Sequence, residues 1–491
     1  MLFYSFEFIF LFFPLALIGY FLIGKRSKHF SIVWLVCCSM FFYGWWEIKY
    51  VPLLIGSLLF NYYYGLVLRK APHKHLLCLG VILNLLLIGY YKYAGFFTSI
   101  VNDTTKTSFN FGDITLPLGI SFFTFQQIAW LVDSYRGNVS SQEKGLWEYA
   151  LFVTFFPQLI AGPIVHHSEM MPQFHNEKNR FINWTNMSVG VSIFIIGLAK
   201  KIILADSIAP YANKVFNAAL VPTQVISTGD AWLGAISYTL QLYFDFSGYA
   251  DMAIGLALMC NIRLPINFDS PYKAVSITDF WRRWHITLSR FLKDYVYIPL
   301  GGNRGAKSRC YVNLLLTMLI GGLWHGAGWT FVLWGGLHGA FLAIHKLWGE
   351  ISTLKIPQPI AQIITFICIV SAWVLFRAES LDSATKILTA MFNFDLLWDG
   401  KLLSTKELVA ACQYIIPGLV IVFLMPNTQN YFSDNQGGLK VYQNKFRGWM
   451  FKLPSFQTNY FWLCPIIILS VSSIFFLLDQ RNIHEFIYFQ F

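Results

Sequence analysis

Charge is scarce in this sequence. Only 12% of its 491 residues are Asp, Glu, Lys or Arg, about half of the roughly 25% that a soluble domain carries. The length alone would suit about three soluble domains, but there are too few charged side chains to coat them. The eight cysteines form no CxxC and no paired spacing, which excludes a disulfide scaffold and a zinc cluster. Seven of them, Cys37, Cys38, Cys78, Cys260, Cys368, Cys412 and Cys464, lie in or beside apolar runs, and Cys310 follows a basic loop, as small apolar fillers do. The first 24 residues have no positive leading segment and no small-residue cleavage site, so they read as an uncleaved span and not as a signal peptide. Low-complexity tracts and the inverted repeats of many secondary transporters are missing as well. What the sequence has in abundance is apolar surface: 56% of residues are hydrophobic and 47 are Phe. That balance describes a polytopic membrane protein.

Lys and Arg outnumber Asp and Glu by 36 to 25, a net charge of +11. Basic residues collect in cytoplasmic loops of membrane proteins, and that reading is preferred here over nucleic-acid binding. A spanning helix needs about 20 mainly apolar residues. Candidate spans run near 1–24, 31–46, 51–68, 76–97, 115–132, 146–165, 186–204, 229–260, 311–345 (long enough for two), 357–376, 408–425 and 460–478. The fold expected is therefore all-α, with about 10–12 transmembrane helices and further re-entrant or interfacial helices. Basic clusters at Lys25 to Lys28 and Arg69 to Lys74 place the N-terminus outside, with the polar loop 102–113 outside and Arg136 inside. Pro157, Pro163 and Pro172 interrupt 157–175, which reads as re-entrant or interfacial, and 426–458 reads as a surface excursion. One integral-membrane domain, 1–491, is expected, with a core near 115–345 and C-terminal spans over 357–478.

Residues 265–310 differ from the rest. In DFWRRWHITLSRFLKDYVYIPLGGNRG (279–305), Trp281, Trp284, Leu288, Leu292 and Tyr295 share one face of a helix. Arg282, Arg283, Arg290, Lys293 and Asp294 lie largely off that face. This pattern predicts a helix lying in the membrane interface. His285 sits in its middle. Farther on, GGLWHGAGWTFVLWGGLHG (321–339) places seven glycines around His325 and His338 within an apolar run. An ionisable group at membrane depth is costly, and its default reading is a role in an interior cavity. Neutral imidazole is a base near pH 7. No GxSxG elbow or HExxH pattern accompanies it. The adjacent His166 and His167 do not share a helix face, so no metal is expected there. A histidine with neither nucleophile nor metal suits direct transfer, in which it deprotonates a hydroxyl that attacks an activated acyl group.

These motifs resemble the membrane-bound O-acyltransferases, and most closely their bacterial polysaccharide branch of the alginate O-acetylation type. The resemblance rests on 279–305 and on LWHGAGWTFVLWGGLHG (323–339). It is supported by LPLGISFFTFQQIAWLVDSYRG (116–137), FFPQLIAGPI (155–164) and LQLYFDFSGYADMAIG (240–255), and it thins after about residue 390. It implies a helical membrane fold around a transverse tunnel, with His325 as catalytic base and His285 as the second family histidine, orienting or polarising the acyl carbonyl. His338, 13 residues beyond His325 and about 20 Å away along an unbroken helix, is the weaker candidate. The implied donor is a cytoplasmic thioester, acetyl-CoA or an acyl carrier, whose phosphates Arg282, Arg283 and Arg304 would attract. Trp324, Asp245 and Gln126 are further donor- or substrate-contacting candidates. Asp245, with Tyr243, Tyr249 and Asp251, reads equally as tunnel wall or as a buried structural knot, and Gln126 with Gln127 likewise. Neither a bound cofactor nor a metal is expected. The implied partners are the lipid bilayer, an extracytoplasmic acetyltransferase and a polysaccharide acceptor. Two alternatives stay open: D-alanyl transfer in teichoic-acid modification, and a polysaccharide or acyl transporter without chemistry.

Overall fold

The computed structural model describes residues 1–110, 112, 114–140, 145–354, 356–393, 395, 402–432, 438–439, 460–478 and 486. Most of the expected surface excursion at 426–458 lies outside them. The described chain is helical, and a single bridge between Pro265 and Leu439 is its one piece of β pairing. It divides into two units. The first comprises Met1–Phe194 and Tyr249–Ile266, with Gly438 and Leu439; the second comprises Ile195–Gly248, Asn267–Asp434 and the described residues from 460 onward.

In the first unit, α1 (Phe13–Arg26) continues from a π-helical segment, Phe8–Phe12, with Pro14 at their junction, and ends on Lys25 and Arg26, which suit the helix C-terminus. Leu11, Leu15, Ile18 and Leu22 form an exposed stripe suited to acyl chains, while Phe13, Ala16 and Tyr20 are buried. Ser27 then caps α2 (Lys28–Trp46) by accepting from Phe30 N. Next come α3 (Val51–Lys70), α4 (Lys74–Ile88) and α5 (Ala94–Thr105). In α6 (Ile120–Arg136) every residue from Ile120 to Leu131 is buried, so this helix is core on all sides. Its polar residues find partners across helices: Gln127 Oε1 accepts from Ser57 Oγ at 2.7 Å and Asn61 Nδ2 at 3.0 Å, and Asn61 exchanges bonds with Asn84. Interhelical amide bonds of this kind hold helices together where water offers no competition.

The span expected over 146–165 is not one helix. It is α7 (Leu146–Thr154) and a single turn, α8 (Phe156–Leu159). Pro157 has no N–H to donate to a continuing helix, and the chain leaves helical geometry at Phe155, where ψ is 110°. After α9 (His167–Phe174), α10 (Trp184–Ala199) leads through a π-helical segment, Lys200–Ala205, into α11 (Asp206–Ala219). The 32-residue α12 (Thr228–Met259) follows.

The second unit contains two short helices, α13 (Ile277–Trp281) and α14 (Ile286–Leu292). The continuous interfacial helix expected through 281–295 is therefore corrected: the chain leaves helical geometry from Arg282 to His285, and His285 takes a left-handed conformation at φ 43°. Trp281, Trp284, Leu288 and Leu292 are buried in protein. The apolar face packs inward, and its periodicity reported burial without revealing the break.

The run 311–345 is a hairpin of α15 (Lys307–His325) and α16 (Trp329–Ile351), turned by extended Gly326 and Gly328. A Cβ on Gly322 would stand 3.1 Å from Gly335 Cα, and one on Gly335 would strike the Met318 carbonyl. Glycine is required at this crossing because backbone meets backbone. The chain continues through α17 (Gln358–Arg377), α18 (Leu381–Phe392), α19 (Thr405–Leu424), α20 (Thr428–Tyr431) and α21 (Tyr460–Leu478). Seven helical segments among the described residues are long and apolar enough to cross a membrane: Phe8–Arg26, Lys28–Trp46, Ile48–Lys70, Lys74–Thr105, Trp184–Ala219, Gln358–Arg377 and Thr405–Leu424. Several other expected spans became short helices or, like α12 with Gln241, Asp245, Ser247 and Asp251, carry buried polar residues.

Candidate active site

In the second unit, Asn267 organises the break before α14. Its Oδ1 accepts from Thr287 N at 3.3 Å and Thr287 Oγ1 at 2.9 Å, while its backbone oxygen accepts from Ile286 N at 3.0 Å. Asp269 N pairs with the Arg283 carbonyl at 2.9 Å. These bonds over-determine the loop and hold His285 in a conformation that a non-glycine residue adopts at a cost of about 1–3 kcal/mol.

The same oxygen fixes the imidazole. His285 Nδ1 lies 3.2 Å from Asn267 Oδ1. Because a backbone N–H also donates to that atom, it is an acceptor, so Nδ1 is the protonated nitrogen. Burial pushes the pKa of His285 down to about 3, which keeps the ring neutral and makes Nε2 a lone-pair nitrogen.

His325 ends α15, and its ring centroid is 6.4 Å from that of His285. Around it stand Trp324 at 4.9 Å, Trp334 at 5.1 Å and Phe376 at 5.2 Å. Phe246 closes on His285 edge-on at 4.9 Å. His325 is 5% exposed. The two imidazoles therefore stand together in an aromatic enclosure largely shielded from water.

His338 is closer to this cluster than its sequence distance suggests. The 20 Å separation assumed an unbroken helix, but the turn at 326–328 brings α16 back along α15. Trp334 consequently touches both rings, 5.1 Å from His325 and 4.7 Å from His338. His338 Nδ1 accepts from Trp281 Nε1 at 3.2 Å, so its proton sits on Nε2, and Phe280 stacks on it at 6.3 Å.

The remaining predicted residues divide. Arg283 is buried and committed, bonded to Asp279 Oδ1 at 2.9 Å and to the Asp269 carbonyl at 3.3 Å. Nearby Lys273 is pushed down to about 8 by burial and by the Arg283 charge, against the pull of Asp269. Arg282 and Arg304 are exposed, the latter in a turn where Gly301, Gly302 and Gly305 all have positive φ. Asp245 sits in a buried ion triad: Lys201 Nζ bridges Asp245 at 2.8 Å and Asp206 at 2.7 Å, all three at most 2% exposed. Gln126 is buried in α6 of the first unit, with its neighbour Gln127 in the amide network. Tyr249 and Asp251 belong to the first unit, and Tyr243 and Asp245 to the second.

Sequence reasoning missed Asn267, Trp334, Phe376 and Lys201. Lys201 alone gave a signal, as a lysine late in an apolar run. Adjacent His166 and His167 are also corrected. His166 is the extended cap of α9 and His167 its first residue, so the helical-face argument does not apply and both rings reach Asp133.

A glycine-paired hairpin thus presents one histidine to a second inside a bundle of apolar helices. Residues 136–383 match the model of the MBOAT, membrane-bound O-acyltransferase family, and the chain belongs to that family. It is a multi-pass bacterial inner-membrane O-acyltransferase, and the transporter alternative is set aside.

Within the family the chain falls in the branch of the alginate O-acetylases. It is 48% identical over 420 residues to a peptidoglycan O-acetyltransferase of Helicobacter pylori, covering 79% of each chain. It is 44% identical over 403 residues to "Probable alginate O-acetylase AlgI" of Pseudomonas aeruginosa, covering 80% of this chain and 75% of that one. Similarity to a teichoic acid D-alanyltransferase of Streptococcus thermophilus is 30% over 246 residues, 47% of this chain and 57% of the other.

Proposed function

We propose that this enzyme moves an acetyl group from a cytoplasmic thioester, acetyl-CoA, across the membrane for O-acetylation of an extracytoplasmic polysaccharide. The names of its relatives support the acceptor class, one being a peptidoglycan O-acetyltransferase and another an alginate O-acetylase. The higher identity over nearly twice the length favours acetyl over D-alanyl transfer. The observation that carries the reading is the paired, enclosed imidazoles of His325 and His285.

In this mechanism His325 takes the proton of an incoming hydroxyl as its oxygen attacks the thioester carbonyl. The new C–O bond forms, the C–S bond breaks, and the imidazolium returns the proton to the departing thiolate. His285, with Nδ1–H held by Asn267, stands as a neutral ring beside His325 and positions the reacting groups; in this tautomer its Nε2 carries no proton to donate to the carbonyl, so we assign it the orienting part of its role. Trp324 and Trp334 exclude water from the reacting atoms. Exposed Arg282 and Arg304 attract donor phosphates, whereas Arg283 acts through its ion pair to hold the loop. The hydroxyl belongs to an extracytoplasmic partner acetyltransferase, which passes the group to the glycan.

Inner-membrane vesicles supplied with labelled acetyl-CoA test this. His325→Ala, inserted at wild-type levels, is expected to lose about 10²–10⁴-fold in transfer, the usual contribution of general base catalysis. Full transfer by that variant refutes the role.

A further inference from the structure

A second cluster of ionisable side chains stands in the first unit. Asp133, in the last turn of α6, meets His166 and His167 at the start of α9. Asp133 Oδ2 is 2.8 Å from His166 Nε2 and 3.4 Å from His167 Nε2. One ligand atom from each of the three residues lies within 4.8 Å of the others. We propose that Asp133, His166 and His167 bind a Zn²⁺ ion as a three-ligand site completed by water.

The donor set and spacing support this. Two imidazoles and one carboxylate are the ligands zinc takes in open sites, with Zn–N and Zn–O near 2.0–2.2 Å. Tetrahedral bonds of that length set ligand atoms about 3.4 Å apart. Of the two oxygen–nitrogen distances, that to His167 matches this value at 3.4 Å and that to His166 is shorter, at 2.8 Å. Small side-chain rotations bring all three onto one ion.

The surroundings orient these ligands. His166 Nδ1 accepts from Ser168 N at 3.4 Å as the cap of α9 and lies 2.6 Å from Ser168 Oγ; with a metal on Nε2, Nδ1 would carry the proton and donate it to the Ser168 hydroxyl, the partner that fixes a metal-bound imidazole. The carboxylate divides its duties. Asn138 Nδ2 bonds Oδ1 at 3.4 Å and Arg136 approaches the same oxygen at 3.9 Å, while Oδ2 faces both imidazoles. Arg136 is the charge that opposes a cation here, and it stands on the far oxygen. Trp130 meets the His167 ring edge-on at 5.5 Å and keeps it in place.

Burial suits a specific site. Asp133 and His167 are at most 4% exposed, whereas the His166 side chain is 25% exposed and gives an ion and its water a way in. One ion would pin the C-terminus of α6 to the cap of α9, neither of which contains His285 or His325. The alternative is a hydrogen-bonded Asp–His–His cluster without metal.

The test uses tag-free, full-length protein in detergent, stripped with chelator and equilibrated with Zn²⁺. The expected result is one Zn²⁺ per chain by mass spectrometry of the metal, with tetrahedral Co²⁺ absorption when cobalt replaces it. His167→Gln and Asp133→Asn should lose the ion while eluting as monodisperse protein. Ser168→Ala leaves all three ligands and should weaken binding about 10–100-fold, the usual effect of removing an outer partner. Absence of stoichiometric Zn²⁺ in the wild-type protein overturns the proposal in favour of the metal-free cluster. So does equal uptake by all four proteins.

Discussion

Replacing Asn267 by Ala should damage stability and catalysis together. One buried oxygen of Asn267 accepts from His285 Nδ1, Thr287 N and Thr287 Oγ1. The Thr287 hydroxyl can rotate to another acceptor, but the ring N–H and the backbone N–H are held in place. Each buried donor left without a partner costs about 1–3 kcal/mol, so Asn267→Ala should destabilise the protein by about 2–6 kcal/mol, read as a lower Tm in detergent. Loss of the tautomer's fixing bond removes roughly another 1.4 kcal/mol of orientation from the reaction, a tenfold fall in transfer. Asn267→Asp separates the two effects. A carboxylate accepts all three bonds, so the fold should survive. Its charge favours imidazolium and raises the His285 pKa. Transfer by Asn267→Asp should therefore fall on mild acidification and recover at higher pH, relative to wild type, whose His285 stays neutral down to about pH 3. Wild-type Tm and rate in Asn267→Ala, or a wild-type pH profile in Asn267→Asp, would refute the assigned tautomer.

Gly335→Ala should cost about 1–3 kcal/mol or more and loosen the hairpin bearing His325, since the added Cβ meets the Met318 backbone; thermal unfolding and transfer assays should fall together. Lys201→Met strands the buried carboxylates of Asp206 and Asp245 and should destabilise by about 3–5 kcal/mol, with recovery in the triple variant that also carries Asp206→Asn and Asp245→Asn. A third expectation concerns acid. His285 has a folded pKa near 3, below the unfolded value of about 6.5, so the unfolded chain gains the extra proton and stability falls as pH drops below 6.5. Between pH 6.5 and 5 the loss is about 2 kcal/mol. His285→Asn should lack that increment, and an equal acid dependence of Tm in the two proteins would contradict it.

Much of the site was legible because its residues are chemically expensive where they stand. His325 among glycines in an apolar run cannot be a routine surface residue, and the run 279–305 concentrates charge where the chain otherwise avoids it. Asn267 was not legible, since an Asn in a polar loop carries no signal until its three donors are in place. Asp245 read equally as functional or structural until Lys201 and Asp206 closed on it. The interfacial helix failed for a related reason: i, i+4 spacing reports which side chains are buried on one face, but a loop that buries the same residues can satisfy it.

By itself, composition determined that this chain lives in lipid, because half the usual charge cannot hydrate a soluble surface, and the motifs determined its family. Only the tertiary structure decided which residues meet. The turn at 326–328 put His338 and His325 on the same tryptophan, the Asn267 loop set the tautomer of His285, and the cap of α9 faced two neighbouring histidines toward Asp133. Helical periodicity specifies a face, whereas breaks and returns of the chain depend on backbone contacts such as Gly322 against Gly335, which span distances that no local pattern encodes.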